Sequence, residues 1–493
     1  MAEAPSIQLS EAAVVQINID QGATAFVEKP EDATHDEEME ELTASLFDTE
    51  PLRPSTWPEL CIYRVPKELR VFRDKQIIQY TPKLISIGPF HHGNQELQDM
   101  ENMKLIFFKE FCYRTRNAEH NLVKFAADKR CEVERSYSEM FHIAHDKFLR
   151  IILLDAVFIV ELFLRFSNSQ THAHGNDLIL SKPWMIHAIR LDFLLLENQL
   201  PYSFLDEFFQ FVGDDCPRTF LELACNFFCL KFKVEISKEL KEVKHFTDLL
   251  RTFHILPILK AVSIDCSERP STGRERTKPM HSTKKLDESG VNFKAIVAKE
   301  VGLLGIEFRK MKGLEHCPCI NFSWLLNCLP WFKCLPILER TQPCLKIPQL
   351  EITTGTELFF RNLIALELCH YPSESYYFCN YICLLDFLIN AERDVELLVD
   401  KSVIINRLGS NAAVLTLIKE LGSQIVPVPA SSCFKDSIRR MNQHCKNPWN
   451  RVVATMSSVY FPDIWRGTAT VLGLIILGFT LWNFIRPFVL MRH

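Results

Sequence analysis

The chain has 493 residues, enough to bury a large core and to hold more than one domain. Its 47% hydrophobic and 24% charged residues are those of a globular protein and exclude a disordered or fibrous one. The net charge of −5 is unevenly spread: residues 1–56 carry 13 acidic and 2 basic side chains, which leaves the remainder near +6, too small a surplus to argue for nucleic-acid binding.

In chain order, residues 1–56 are expected to be a disordered acidic leader, with short helical turns conceivable at 39–47. No basic n-region or apolar h-region opens the sequence, so no secretory signal is expected. Order is expected from Trp57. The segment 61–93 carries Pro66, Pro82, Pro89, Gly88 and Gly93, which fix turns and forbid a long helix. It should hold a short helix at 67–70 and an extended stretch at 84–87. A helix should start near Leu97 and run past Tyr113, with Met100, Met103, Phe107 and Phe111 on one apolar stripe.

The run 148–166, FLRIILLDAVFIVELFLRF, is apolar enough to suggest a membrane span. Asp155 and Glu161 argue against it, since a carboxylate near a bilayer centre costs about 3 kcal/mol. The expectation is a buried helix of a soluble body, its carboxylates paired or facing a polar groove. A polar loop at 167–178 and an apolar helix at 184–200 follow. That helix should end before Pro201, with the next at 202–211 and more helix to about Leu259. Residues 265–285, nearly empty of apolar side chains, read as a flexible loop. Beyond it, 291–295, 306–310 and 345–352 alternate enough to be strands of a small sheet. Helices are expected at 356–369, 377–392 and 411–421, the last capped by Ser410 and followed by Gly422.

The run 467–485, GTATVLGLIILGFTLWNFI, has no charge between Arg466 and Arg486, and its length matches a bilayer core. Trp465 and Trp482 sit near its ends, where indole rings favour the interface. A single C-terminal transmembrane helix is expected, in contact with membrane lipid, in the plasma membrane or an endomembrane. Arg439, Arg440, Lys446, Arg451 and Arg466 precede it, against Arg486 and Arg492 after it, which places the body in the cytosol. The 17 cysteines are then expected to be reduced, and the sequon at Asn321 unmodified.

The fold expected is therefore mainly α (α+β): a large helical body with a small sheet in its C-terminal half and one transmembrane helix. Its divisions are 1–56, 57–264, 265–285, 286–450 and 467–485.

No common catalytic signature is present: no GxGxxG, GxxxxGK[ST], HExxH, GxSxG or CxxC. His316, Cys317 and Cys319 with Cys328, Cys334 and Cys344 lack the paired spacing of a zinc site and read as core thiols. His91 and His92 beside Gly93 could bind a metal or titrate, with a structural role favoured. His172 and His174 read as solvated. Cys225 and Cys229, one turn apart on an apolar helix, read as packing. Glu197, Asn198 and Gln199 interrupt an apolar helix end, and Glu367 sits on another apolar helix. A recognition or catalytic role is conceivable for them, against hydrogen-bonded helix junctions. No catalytic, cofactor-binding or metal-ligating residue is assigned.

Taken together, several strings resemble a known family: IYRVPKELR at 62–70, YTPKLISIGPFHHG at 80–93, LLDAVFIVELF at 153–163 and LLLENQLPY at 194–202. SGVNFK at 289–294, LKIPQLEI at 345–352, RNLIALELC at 361–369, DVELL at 394–398 and NRLGS at 406–410 continue the series. The chain is similar, over roughly 57–485, to the plant-specific membrane proteins that share domain of unknown function 247. It departs from them in an extended 265–285 loop and in Ala156 where a glycine is more usual. The resemblance implies membrane tethering, no established enzyme activity and no catalytic residues to carry over. Some grass members are implicated as self-incompatibility determinants, which implies protein recognition. The rival expectation is a hydrolase or transferase with a nonstandard site, for which a deep pocket converging on Glu197, Asp155 and His91 would speak.

Overall fold

Two parallel helices set the frame of the N-terminal half. They are α2 (Gln98–Thr115) and α4 (His145–Ser169), preceded by the one-turn helix α1 (Lys67–Arg70) and separated by α3 (Glu119–Arg135). The computed structural model describes residues 58–72, 75–76, 78–116, 119–169, 177–213, 216–230, 242–265, 281–297, 302–310, 342–425, 434–455 and 464–490. The leader with its turns at 39–47, most of the 265–285 loop, His172 and His174, and all of the thiol cluster except Cys344 lie outside them.

α4 is apolar on almost every side, so it can be stable only at the centre of a core. Residues Ile151 to Leu164 are buried there, apart from Leu154. Its two carboxylates are paired as expected. Asp155 Oδ1 lies 2.6 Å from Lys104 Nζ, and Glu161 Oε2 lies 2.9 Å from Arg114 Nη2 and its Oε1 2.8 Å from Arg165 Nε. The partners Lys104 and Arg114 ascend α2 as Asp155 and Glu161 ascend α4, which makes the two helices parallel. Phe163 anchors the core among Phe193, Phe220, Phe227, Phe228 and Phe246, with ring centroids 4.7 to 6.4 Å apart. Each such pair is worth about 0.5–1.5 kcal/mol beyond its buried area.

The helix expected at 184–200 is shorter. α5 (Pro183–Asp192) stops eight residues early, and 193–200 form turns. The polar side chains of 197–199 bond to neighbouring backbone and compete with helix continuation. α6 (Tyr202–Val212) starts behind Pro201 and ends on Gly213, whose φ of +63° is the left-handed cap that favours glycine. α7 (Phe220–Phe227) opens with a capping box, Thr219 accepting from the Glu222 N–H and Glu222 accepting from the Thr219 N–H. It closes at Phe227, so Cys229 is off the helix, exposed at φ +57°, while Cys225 is buried. α8 (Phe246–Asp265) completes this half.

The C-terminal half holds the expected sheet. β3 (Asn292–Ile296) pairs in parallel with β5 (Cys344–Pro348), Phe293 opposite Leu345, and β4 (Glu307–Arg309) pairs antiparallel on the other side of β5. β6 (Leu350–Ile352) belongs to a separate parallel pair with β7 (Ile404–Asn406). β7 is too short to show periodicity and was not expected. A two-stranded ribbon, β1 (Val71–Phe72) and β2 (Lys75–Gln76), lies in the N-terminal half. Around the sheets pack α9 (Thr283–Glu288), α10 (Thr356–His370), α11 (Tyr377–Leu388), α12 (Glu392–Asp400), α13 (Asn411–Ser423), α14 (Lys435–Lys446) and α15 (Pro448–Thr455). The helix expected at 377–392 ends four residues early, at Leu388, and α12 starts at Glu392 behind a break where Asp394 accepts from the N–H groups of Asn390 and Ala391. Ser410 caps α13 by accepting from Ala413 N–H at 3.1 Å, but Gly422 lies inside that helix rather than past it.

Each half has its own apolar core, and two smaller clusters join them. Val65, Leu69, Tyr80 and Leu196 meet Ala365 and Leu366; Leu194 and Leu195 meet Leu250 and Leu358. The turn 193–200 therefore sits where the two cores meet. Helix α16 (Ile464–Leu490) is apolar all round, and none of the stretch Thr468–Arg486 is buried; it is long and apolar enough to cross a membrane.

Candidate functional site

The segment 61–93 has almost no regular structure to satisfy its backbone, so its N–H groups must find other acceptors. They find side chains from distant elements. Asp192, the last residue of α5, accepts from three consecutive N–H groups, Lys83 at 3.0 Å, Leu84 at 2.7 Å and Ile85 at 2.9 Å. Asn198 accepts from Ile87 N–H and donates to the carbonyls of Ile85 and Asp192. Asp155 accepts from Gly88 N–H at 2.8 Å, and Lys104 donates to the Ser86 carbonyl. Glu197 accepts from Val65 N–H at 2.7 Å and pairs closely with Arg70.

Gln199 ties the turn to itself and to α8. Its amide donates to the carbonyls of Phe193 and Leu195, and its oxygen accepts from Phe246 N–H. Tyr137 Oη donates to the Gln199 carbonyl, and Leu196 N–H donates to Asn362 on α10. Gly88 is required at this point. Its φ is +71°, and a Cβ would lie 2.6 Å from the Gln199 backbone carbonyl oxygen and 2.7 Å from Tyr137 Oη.

Of the three residues named as a possible catalytic convergence, two meet. His91 Nε2 lies 3.4 Å from Glu197 Oε2, while Asp155 faces Lys104 and Gly88 instead. Glu197, Asn198, Gln199 and Asp155 are each at most 1% exposed. These are hydrogen-bonded junctions closed to solvent, the structural alternative of the sequence reading.

Burial alone would raise the Glu197 pKa; His91, the Arg70 charge and Val65 N–H outweigh it and hold the carboxyl below its usual range. For Asp155 burial wins, and its pKa is pushed up to about 6 against the pull of Lys104. Burial also raises Asp192, partly offset by its three N–H donors.

Glu367 resolves in the same way. It is fully buried on α10, accepts from Phe378 and Cys379 N–H at the start of α11, and pairs with Arg251 Nε at 3.1 Å. Arg251 in turn stacks 3.6 Å over the Tyr371 ring. Sequence reasoning flagged Glu367 but not Arg251 or Asp192, which sit in helical patterns with no local oddity. Among the described residues, no three of His, Cys, Asp and Glu gather to hold a metal ion, and the eleven described cysteines are free thiols.

Two buried histidines give the body a pH dependence. Burial pushes His245 and His444 down to about 4; Asp248 opposes this for His245, and the Ser289 carbonyl, 3.0 Å from His444 Nε2, does so for His444. The unfolded chain takes up these protons near pH 6.5 and the folded one only near 4. Stability is therefore lost as pH falls through that window, by on the order of 1 kcal/mol per pH unit for each histidine. Urea midpoints measured between pH 7 and pH 5 should fall, and His444→Gln should flatten that slope.

A helical body built on irregular segments stitched by buried polar side chains, with one exposed apolar helix of membrane-spanning length, defines the class. The chain belongs to the plant protein family of unknown function that carries domain of unknown function 247, whose profile matches residues 62–479. It is 29% identical to "UPF0481 protein At3g47200" of Arabidopsis thaliana, over 82% of this chain and 81% of that protein. It is 20% identical to "Putative UPF0481 protein At3g02645" of the same plant, over 92% of each. No solved structure matches.

Proposed function

We propose that the chain is a membrane-anchored, non-enzymatic protein-recognition or signalling component, held at a bilayer by α16 with its body in the cytosol. The observation that carries this reading is the contrast between the two ends of the molecule. The polar groups most suited to chemistry are sealed and consumed by backbone, whereas α16 presents unburied apolar surface on every side. Tyr113 and Trp184, 89% and 61% exposed on the body, offer aromatic surface of the kind that anchors protein interfaces. The basic residues before α16 outnumber those after it, which favours the cytosolic orientation.

Anchoring is tested by truncation after Thr455, which keeps the Asn450–His444 hydrogen bond of α15. The truncated chain should move to the soluble fraction with an unchanged thermal midpoint. Persistence in carbonate-washed membranes would mean that another segment holds the bilayer. Recognition is tested by proximity labelling in plant cells, with the labelling enzyme fused to the body. The full chain should mark a reproducible set of proteins that Tyr113→Ala/Trp184→Ala loses while remaining folded. A set indifferent to those changes, together with substrate turnover by the purified chain, would favour the hydrolase or transferase reading.

A further inference from the structure

The parallel helices α2 and α4 leave a cleft of about 320 Å³ at their N-terminal ends, beside the His92–Gly93 turn. Each helix contributes one face at the same spacing. α2 supplies Gln98, Glu101, Asn102 and Leu105; α4 supplies Lys147, Arg150, Ile151 and Leu154. Positions i, i+3, i+4 and i+7 share one helix face, so both rows point into the same space. The rows also share a gradient, with polar or charged side chains toward the first turns and aliphatic ones deeper. Ile151 is buried and Leu105 and Leu154 are partly buried, whereas Gln98, Asn102, Lys147 and Arg150 are exposed.

The charges are not balanced. Glu101 is committed: its Oε1 accepts from Ser86 Oγ at 2.8 Å and from Lys104 Nζ at 2.6 Å. Lys104 is shared with Asp155. Lys147 and Arg150 make no hydrogen bond or ion pair among the described residues, so two cations stand against one carboxylate, Glu101, on the cleft's lining. The N-terminal ends of both helices add positive partial charge at the same mouth. One net positive charge suits a monoanion, and the Glu101 wall disfavours a dianion such as a phosphate. The volume and the aliphatic floor fit a small organic body.

We propose that this cleft binds a small amphipathic monocarboxylate, with its carboxylate at Lys147 and Arg150 and its apolar part against Leu105, Ile151 and Leu154. This stands apart from the recognition reading and survives its failure. Phenylacetate is the probe, titrated calorimetrically into the full chain in nanodiscs, with empty nanodiscs as blank. About ten non-hydrogen atoms should give a dissociation constant on the order of 0.1–1 mM. Lys147→Gln/Arg150→Gln should weaken binding roughly tenfold or more, the loss expected when a charge-assisted contact goes. Its thermal midpoint should not change, because neither side chain holds a partner. Asn102→Trp, which blocks the mouth and keeps both cations, should weaken binding as well. The proposal is overturned if phenylacetate does not bind, if either variant binds as the parent does, or if inorganic phosphate or uncharged phenylethanol binds as tightly.

Discussion

Glu367→Ala is expected to destabilise the body by about 3–5 kcal/mol, because it strands a buried guanidinium. Arg251 is 2% exposed and, among the described residues, keeps the Ser375 carbonyl and the side chains of Tyr371 and Tyr377 once the carboxylate is gone. The N–H groups of Phe378 and Cys379 lose their acceptor at the same time. The pair itself need not be strongly stabilising, since burial disfavours the ionised carboxyl and raises its pKa. Glu367→Ala/Arg251→Met should therefore recover a large part of the loss, leaving mainly the uncapped α11. Chemical denaturation of the full chain and both variants measures this; a double variant no better than Glu367→Ala would show that the charge imbalance is not the cause.

Asp192→Ala should cost about 3–6 kcal/mol, from three backbone N–H groups left without an acceptor at about 1–3 kcal/mol each, discounted where solvent reaches Lys83 and Leu84. Asp192→Asn keeps one oxygen acceptor and should cost less than half as much. The loss should be local before it is global. Amide exchange at Leu84 and Ile85 should rise in Asp192→Ala even where the core around Phe163 stays protected. Equal protection in parent and variant would mean that water or a shifted neighbour replaces the carboxylate.

How far the sequence disclosed this fold depended on the range of the signal. α4 was legible because a long apolar run with two acids admits few readings, and the acids proved to be paired. α2 was legible from its stripe, and α13 from Ser410. The turn after Asp192 was not, because what ends α5 is a set of bonds from Gln199 and Asn198 back to carbonyls at Asp192, Phe193 and Leu195. An apolar heptapeptide reads as helix until its polar neighbours are seen to compete for its backbone. The split between α11 and α12 has the same origin in Asp394. Several buried acids share one habit that local patterns cannot express: they accept from backbone N–H groups of another segment. Asp155 to Gly88 and Glu367 to Cys379 are cases. The cleft between α2 and α4 was missed because its two rows belong to helices that only the folded chain places side by side.

The stitched segment 61–93 also bears on the order of events during synthesis. Some of its bonding partners emerge from the ribosome late: Tyr63 meets His370, Gln79 meets Glu357, and the Leu69 carbonyl accepts from Gln424, 355 residues away. Contacts of such sequence separation pay loop-closure entropy before they return any stability, which slows folding. The stretch is thus fixed in two stages: its backbone N–H groups find acceptors at Asp155, Asp192, Glu197 and Asn198 once the N-terminal half is made, whereas Tyr63, Gln79 and the Leu69 carbonyl wait for residues 357–424. A nascent chain stopped after α8 should already protect 83–88 from proteolysis, through Asp155, Asp192 and Asn198, while 69–79 stays open until Glu357 and Gln424 are made.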